Sequence, residues 1–480
     1  MPNIEKLYAL ALDQARSLGA TYADFRYEDI SEQNVTISNG RPELIERTTS
    51  IGFAVRVLAR GAWGFAADSI LTEAKVKATV KLAVEIAKAS AAINQSSLTL
   101  ADCLTVKDNY QTPYKIDPFT IPLAEKYERL AELEKLMRID EQINSTSAFM
   151  KFYRTKKMFA SSEGSLINQD IYQSGCGASC GVVKSHRERS ERSFPTPGGQ
   201  WITGGYEILD KFDFKTELPN IASESIALLT AKECPQGELD IVLGSDLASL
   251  QIHESVGHAL ELDRVFGYER NFSGISFATT DQLDQLKYGS DLITFKADST
   301  YPSGLATYAY DDDGVKTEPV TLVENGMLVN YLSDRETASR IGKKSTACCR
   351  AAGWNNVPIV RIPNVLLMPG DSTPEDLIAG IDNGIYISSP NSWSIDDNRD
   401  GFRLGGEIGW EIKNGKLGDM VKSPAYSGNT VSFWNSCDGI GNQESWTLWG
   451  TPTCGKGQPG QNARTAQGTA PLRFRQVKVG

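Results

Sequence analysis

Two of the three histidines in this 480-residue chain, His253 and His258, flank Glu254 in one stretch that reads as strand, turn and helix. Leu239 to Leu243 is a mostly apolar run, Gly244 turns the chain, and Ser245 with Asp246 offers an N-cap oxygen and first-turn negative charge. Two imidazoles beside a carboxylate on a helix are how zinc hydrolases hold an ion next to a proton acceptor. The spacing constrains the backbone more tightly than the pattern does. At about 100° per residue, an i+5 step lands roughly 140° around an ideal helix, too far for both rings to meet one ion. The pairing therefore requires a wide π-type turn or a break, expected between Ser255 and His258, with Gly257 best able to absorb it. A regular α-helix through His258 would exclude it.

The rest of the composition narrows the class. A chain of 480 residues exceeds one ordinary core, so two or three domains are expected. A net charge of -11 disfavours general attraction to nucleic acid or anionic membrane. The N-terminal segment carries Glu5 and Asp13 within an amphipathic helical pattern, unlike a secretory leader, and no long uncharged apolar run follows. The expectation is a soluble, cytoplasmic protein with no membrane or nucleic-acid partner. Eight cysteines are too sparse for a disulfide scaffold, so most should be reduced.

Read in order, residues 3 to 18 form an amphipathic helix. Strands are expected at 21–30, 34–38, 44–49, 51–58 and 61–68, with a hairpin turn at Asn39-Gly40, and then a helix over 72–92. A polar connector spans 96–118, a charged helix 121–137, and β-alternating sequence 142–184. Ser185 to Arg192 reads as an exposed loop of mixed charge, and a helix over 221–232 leads into the central strand. Past Asp263 the chain turns β-rich, with short helices near 334–341 and 374–380. The fold class is α+β: an N-terminal antiparallel-sheet and helix domain at 1–225, with candidate sub-units at 1–95 and 119–225, precedes a β-rich C-terminal domain at 226–480 that carries the zinc-site helix.

A catalytic zinc site needs a third protein ligand and an open position. The candidates are Glu261 and Asp263 on the same helix as the histidines, Asp311 to Asp313 in an acidic turn, and the cysteines. Cys454 stands out because it sits in a small-residue loop, Gly450 to Gly460, that lets the backbone approach a buried site, and Lys456 could favour its thiolate. That loop falls short of a phosphate-binding motif, since Gly457 replaces the required hydroxyl residue.

The segment His253-Glu-Ser-Val-Gly-His-Ala-Leu-Glu261 and the segment Cys454-Gly-Lys-Gly-Gln458 together resemble the TldD branch of the TldD/PmbA metalloprotease family. Gly61 to Ala66, Asp311 to Gly314, Glu324 to Leu328, Pro358 to Asn364 and Pro369 to Pro374 agree in order, so the resemblance covers almost the whole chain. It implies that His253, His258 and Cys454 bind Zn2+ and that Glu254 is the general base acting on a zinc-activated water. It also implies a zinc metalloprotease that cleaves unfolded or leader peptides inside a dimer cavity, as a homodimer or as a heterodimer with a PmbA/TldE-type subunit. Residues 391–426, including Asp396 to Arg403 and Trp410, depart from the family's glycine-rich text, which opens the question of partner and substrate. Two other readings stay open: a non-catalytic zinc subunit that assembles with or gates a PmbA-type partner, and a zinc hydrolase of non-peptide amides. No substrate-binding residue is assigned.

Overall fold

The computed structural model describes residues 3–93, 97–185, 188–458 and 460–480. The N-terminal half is organised by one hairpin. Asn39 and Gly40 both take positive φ, 49° and 74°, the turn whose twist suits two long strands, and Tyr22–Ser38 runs into Arg41–Ala59. The four short strands expected there are therefore two long ones. Tyr22–Ser38 also pairs antiparallel with Ser145–Ser161, from Asp24 opposite Ser161 to Ser38 opposite Ser147. This register joins residues on either side of the 96–118 connector into one eight-stranded sheet.

Helices cover this sheet in two packed groups. Ile4–Ser17 and Glu73–Ala91 bury Leu7, Ala11, Val76 and Val80 with Phe25, Phe53 and Val55. Leu123–Leu136 and Phe214–Leu228 bury Leu130, Leu218 and Ile221 with Val35, Met150 and Phe152. The last helix begins seven residues before the expected start because Asp213 caps it, its carboxylate accepting from the Thr216 N–H at 3.2 Å. The mixed-charge stretch is only partly a loop: Arg189–Phe194 pairs with Leu166–Val183, and Arg192 is buried. His186 lies outside the described residues.

In the C-terminal half, five strands close into a ring. Asn383–Ile395 pairs parallel with Gly237–Leu243 and antiparallel with Gly401–Lys413, while Leu472–Val479 and Ala425–Asn429 complete the circuit. A second, six-stranded sheet ends in Gln461–Thr469 and Thr447–Lys456. The helix Ser245–Ile252 leaves the ring at Leu243 and packs against both sheets, burying Leu247, Ala248 and Ile252. The observed class is α+β. Among the described residues no helix is long and apolar enough to cross a membrane.

Buried charge joins the halves. Asp311 to Asp313 form a turn, as expected, but a buried one: Asp313 pairs with Arg56 at 2.6 Å, and Asp312 with Lys157 at 2.5 Å. At another point the Glu407 carboxylate accepts from Arg192 Nη1 at 2.7 Å and from the Ser193 N–H at 3.1 Å. Burial pushes Glu407 up to about 7 despite Arg192. A carboxyl whose folded pKa exceeds its unfolded value contributes stability below the unfolded pKa and loses it as pH rises through the folded one. The difference in Tm between wild type and Glu407→Gln should therefore shrink by about 2–4 °C as pH rises from roughly 4.5 to 7. Differential scanning fluorimetry across that range checks this, and a constant difference would remove Glu407 from the titration.

Candidate metal centre

The strand–helix unit delivers the histidines as the spacing requires. The α-helix ends at Ile252, and His253–Gly257 is a π-turn in which the His258 N–H donates to the His253 carbonyl at 3.0 Å. The wide turn starts at His253, two residues before the expected place. It brings the two rings to one side, with centroids 4.8 Å apart and planes at 86°. A π-turn disturbs the regular ladder, and here side chains take up the displaced groups. The Tyr288 hydroxyl donates to the Ser255 carbonyl, and the Ser255 hydroxyl, which donates to the Gln251 carbonyl, accepts from Trp434 Nε1 at 2.9 Å. Gly257 serves packing: a Cβ there would sit 2.8 Å from Ile362 Cδ1.

The start of the helix meets the expectation in part. Gly244, not Ser245, occupies the cap position and makes no side-chain bond, but Asp246 stands in the first turn as expected, its carboxylate accepting from the Leu247 N–H at 2.8 Å and also from Ser388 Oγ at 3.0 Å and the Ser389 N–H at 2.9 Å. That contact ties the helix to strand Asn383–Ile395.

Cys454 comes from a strand rather than a loop. Thr447–Lys456 pairs with Gln461–Thr469 and places Cys454 opposite Ala463. Its Sγ lies 3.3 Å from His258 Nε2, and the ligand atoms of His253, His258 and Cys454 all fall within 4.8 Å of one another, all three residues buried. Donors on a tetrahedral zinc sit roughly 3.3–3.6 Å apart, so this set needs only small adjustments. Burial opposes the Cys454 thiolate, but His258 and Arg361 outweigh it and pull the thiol below its ordinary range. The contrast is sharp with Cys176, Cys180, Cys348 and Cys437, which burial pushes up to about 12. Arg361, with Nη2 at 3.1 Å from Sγ, is the cation that the sequence did not point to. Lys456, expected in that role, instead binds Asp263 at 2.7 Å and Glu261 at 3.3 Å.

The other acidic candidates do not join the triangle. Glu261, which starts the separate short helix Leu262–Val265 instead of continuing that of the histidines, sits behind His258 with Oε2 2.9 Å from Nδ1; Arg264 pairs with that same oxygen and Lys456 with Oε1. Although burial opposes ionisation, Lys456 and His258 hold Glu261 well below the usual carboxylate range. A carboxylate on the far nitrogen fixes ring orientation and leaves Nε2 for an ion. His253 has a weaker counterpart in Thr465 Oγ1, 3.5 Å from Nδ1, and its burial pulls the ring below its ordinary pKa, favouring the neutral form a metal needs. Glu254 is buried beside His253 and pairs through Oε2 with Arg399 at 2.9 Å.

Three domain descriptions of one family match the chain in order: PmbA/TldA metallopeptidase domain 1 over 23–87, the central domain over 116–232, and the C-terminal domain over 236–480. The chain belongs to the PmbA/TldA metallopeptidase family. It is 32% identical over 423 residues to a metalloprotease of Methanocaldococcus jannaschii, covering 87% of this chain and 89% of that one. A zinc metalloprotease TldD homolog of Saccharolobus solfataricus is 25% identical, with 98% of each chain covered. TldE from Thermococcus kodakarensis shares the fold at a TM-score of 0.71 and 16% identity, with 99% of each chain covered. A Thermotoga maritima structure reaches 0.79 at 16% identity, with both chains fully covered. For a metallopeptidase family, a buried triangle of two imidazoles and one depressed thiol is a fitting donor set: it has three donors, and a catalytic site needs three.

Proposed function

We propose that this chain is a zinc peptidase of the TldD type, in which His253, His258 and Cys454 hold the ion and Glu254 is the general base. The observation that carries the reading is the convergence of the three donor atoms within 4.8 Å beside a buried carboxylate. When bound, zinc would supply Lewis acidity, polarising a peptide carbonyl and acidifying a water. The protein supplies the rest. Glu261 and Thr465 orient the rings, Arg361 stabilises the thiolate, and Glu254 takes the proton of the attacking water and hands it to the leaving amine.

The substrate in this reading is an unfolded or leader peptide bound extended, because main-chain pairing serves many sequences. Thr447–Lys456, which carries Cys454, pairs with another strand on one side only among the described residues, and because Gln200 already binds the Leu448 carbonyl and the Gly450 N–H on its other side, a peptide would pair beyond Gly450. The chain would work in the cytoplasm, inside a cavity formed by a second copy or a PmbA/TldE-type subunit. All eight cysteines are free thiols, which suits a reducing compartment.

The test is digestion of an unstructured peptide mixture by the purified chain, read by mass spectrometry with and without a chelator. Cuts should disappear on chelation and return with added Zn2+. Cutting that persists after the metal is removed would overturn the reading.

A further inference from the structure

Arg399 reaches the candidate base from the part of the chain that departs most from the family text. It sits at the tip of the hairpin formed by Asn383–Ile395 and Gly401–Lys413, and it is buried, 8% exposed. Its Nη1 donates to Glu254 Oε2 at 2.9 Å and its Nη2 to the Ser273 carbonyl at 3.3 Å, while Nε is buried without a partner. Among the described residues no other hydrogen bond holds the Glu254 carboxylate, so Oε1 has no partner among them.

The turn that presents this arginine is fixed from every side. Arg399 has φ of 61°, a left-handed conformation that a side-chain-bearing residue adopts only when its surroundings impose it. The Asp396 carboxylate accepts from the N–H groups of Asn398, Asp400 and Gly401 at 3.0, 3.0 and 2.9 Å. Outside the turn, the Ile275 N–H donates to the Asp397 carbonyl, the Phe277 N–H to that of Asn398, and Thr430 Oγ1 to that of Arg399. Gly274 lets this approach happen, because a Cβ there would lie 2.0 Å from the Asp397 oxygen. A strained backbone held by so many bonds places one side chain, and that side chain ends on Glu254.

We propose that Arg399 is a positioning residue that grips Glu254 by Oε2 and thereby presents Oε1 as the oxygen that meets water and leaving group. The proposal rests on Glu254 being the general base. A guanidinium donates in fixed directions, so one N–H on one carboxylate oxygen sets the rotation of the group and the direction of its free lone pairs. Displacement of a reacting group by about 1 Å costs up to about 100-fold in rate. Arg399 thus acts through Glu254 without touching substrate.

Two sets of measurements test it. In the metal-free protein, Tm is read for Glu254→Ala, Arg399→Ala and the double variant; a coupled pair makes the double loss smaller than the sum of the single losses. On a peptide the wild type cleaves, Arg399→Ala should lower kcat about 10–100-fold with KM and zinc content unchanged. Arg399→Lys should recover part of that loss, and added methylguanidine should rescue the alanine variant. Additive Tm losses would overturn the proposal whatever the activity. So would a kcat that rises, making Arg399 a blocking latch, or a KM that rises at constant kcat, making it a substrate anchor. The Tm cycle needs no turnover, so where the wild type cleaves nothing even with a PmbA/TldE-type subunit added, the peptidase reading falls while the cycle still decides whether Arg399 holds Glu254.

Discussion

Glu254→Gln is expected to cut peptide turnover by about 10²–10⁴-fold, the contribution of a positioned general base, while the protein keeps its zinc. The amide suits the test because it retains an oxygen to accept from Arg399, which in the structure binds Oε2 alone. What the substitution removes is the capacity to take a proton. His253, His258 and Cys454 are untouched, so metal content should match the wild type. The measurement is single-turnover cleavage of a peptide identified in the digestion screen, with zinc assayed on the same sample. Turnover within about 3-fold of wild type would take Glu254 out of the mechanism, since a general base is worth at least about 100-fold.

Cys454→Ser should weaken zinc binding by at least about 100-fold. Outer partners of metal-binding histidines are worth roughly 10–100-fold, and a direct ligand is worth no less. Serine is nearly isosteric, but its hydroxyl stays protonated at neutral pH and cannot replace a thiolate. The structure sharpens the contrast, because Arg361 lies 3.1 Å from Sγ and favours an anion there. Competition against a chromophoric chelator gives the affinity, and peptide cleavage at limiting zinc should fall with it. The fold should survive, as Cys454 is held by strand pairing with Gln461–Thr469. Unchanged affinity would send the search for a third ligand back to the acidic residues near His258.

Much of the centre was legible because its constraints are local. The five-residue spacing of His253 and His258 dictated a wide turn, and the π-turn over His253–Gly257 is what the backbone adopts. Asn39-Gly40 dictated a tight hairpin for the same reason: a two-residue conformation is written in two residues. The α+β class followed from periodicity, and the family from segments quoted in order along the chain.

Local text misleads where a partner lies far away. Asp246 keeps its first-turn place, its carboxylate accepting from the Leu247 N–H, yet the same carboxylate also binds the backbone at Ser389, a contact no local pattern announces. Lys456 is two residues from Cys454 and shares its strand face, yet its Nζ is claimed by the carboxylates of Asp263 and Glu261, which no local reading places beside it. Ser185 to Arg192 carries enough charge to read as a loop, yet Glu224 and Glu407 draw Arg192 inward.

The sequence by itself determined most of the helices, the hairpin turn at Asn39-Gly40, the wide turn at the histidines and the residue types able to bind a metal, since these depend on neighbours within a few positions. Only the tertiary structure decided that Tyr22–Ser38 pairs with Ser145–Ser161, that Glu261 backs His258 instead of joining the ligand triangle, and that Arg361 faces Cys454. It also decided that a strained arginine from a distant hairpin rests on Glu254. Each of these choices depends on which surfaces pack together. Side-chain chemistry limits that outcome, but the burial and pairing of the whole chain select it.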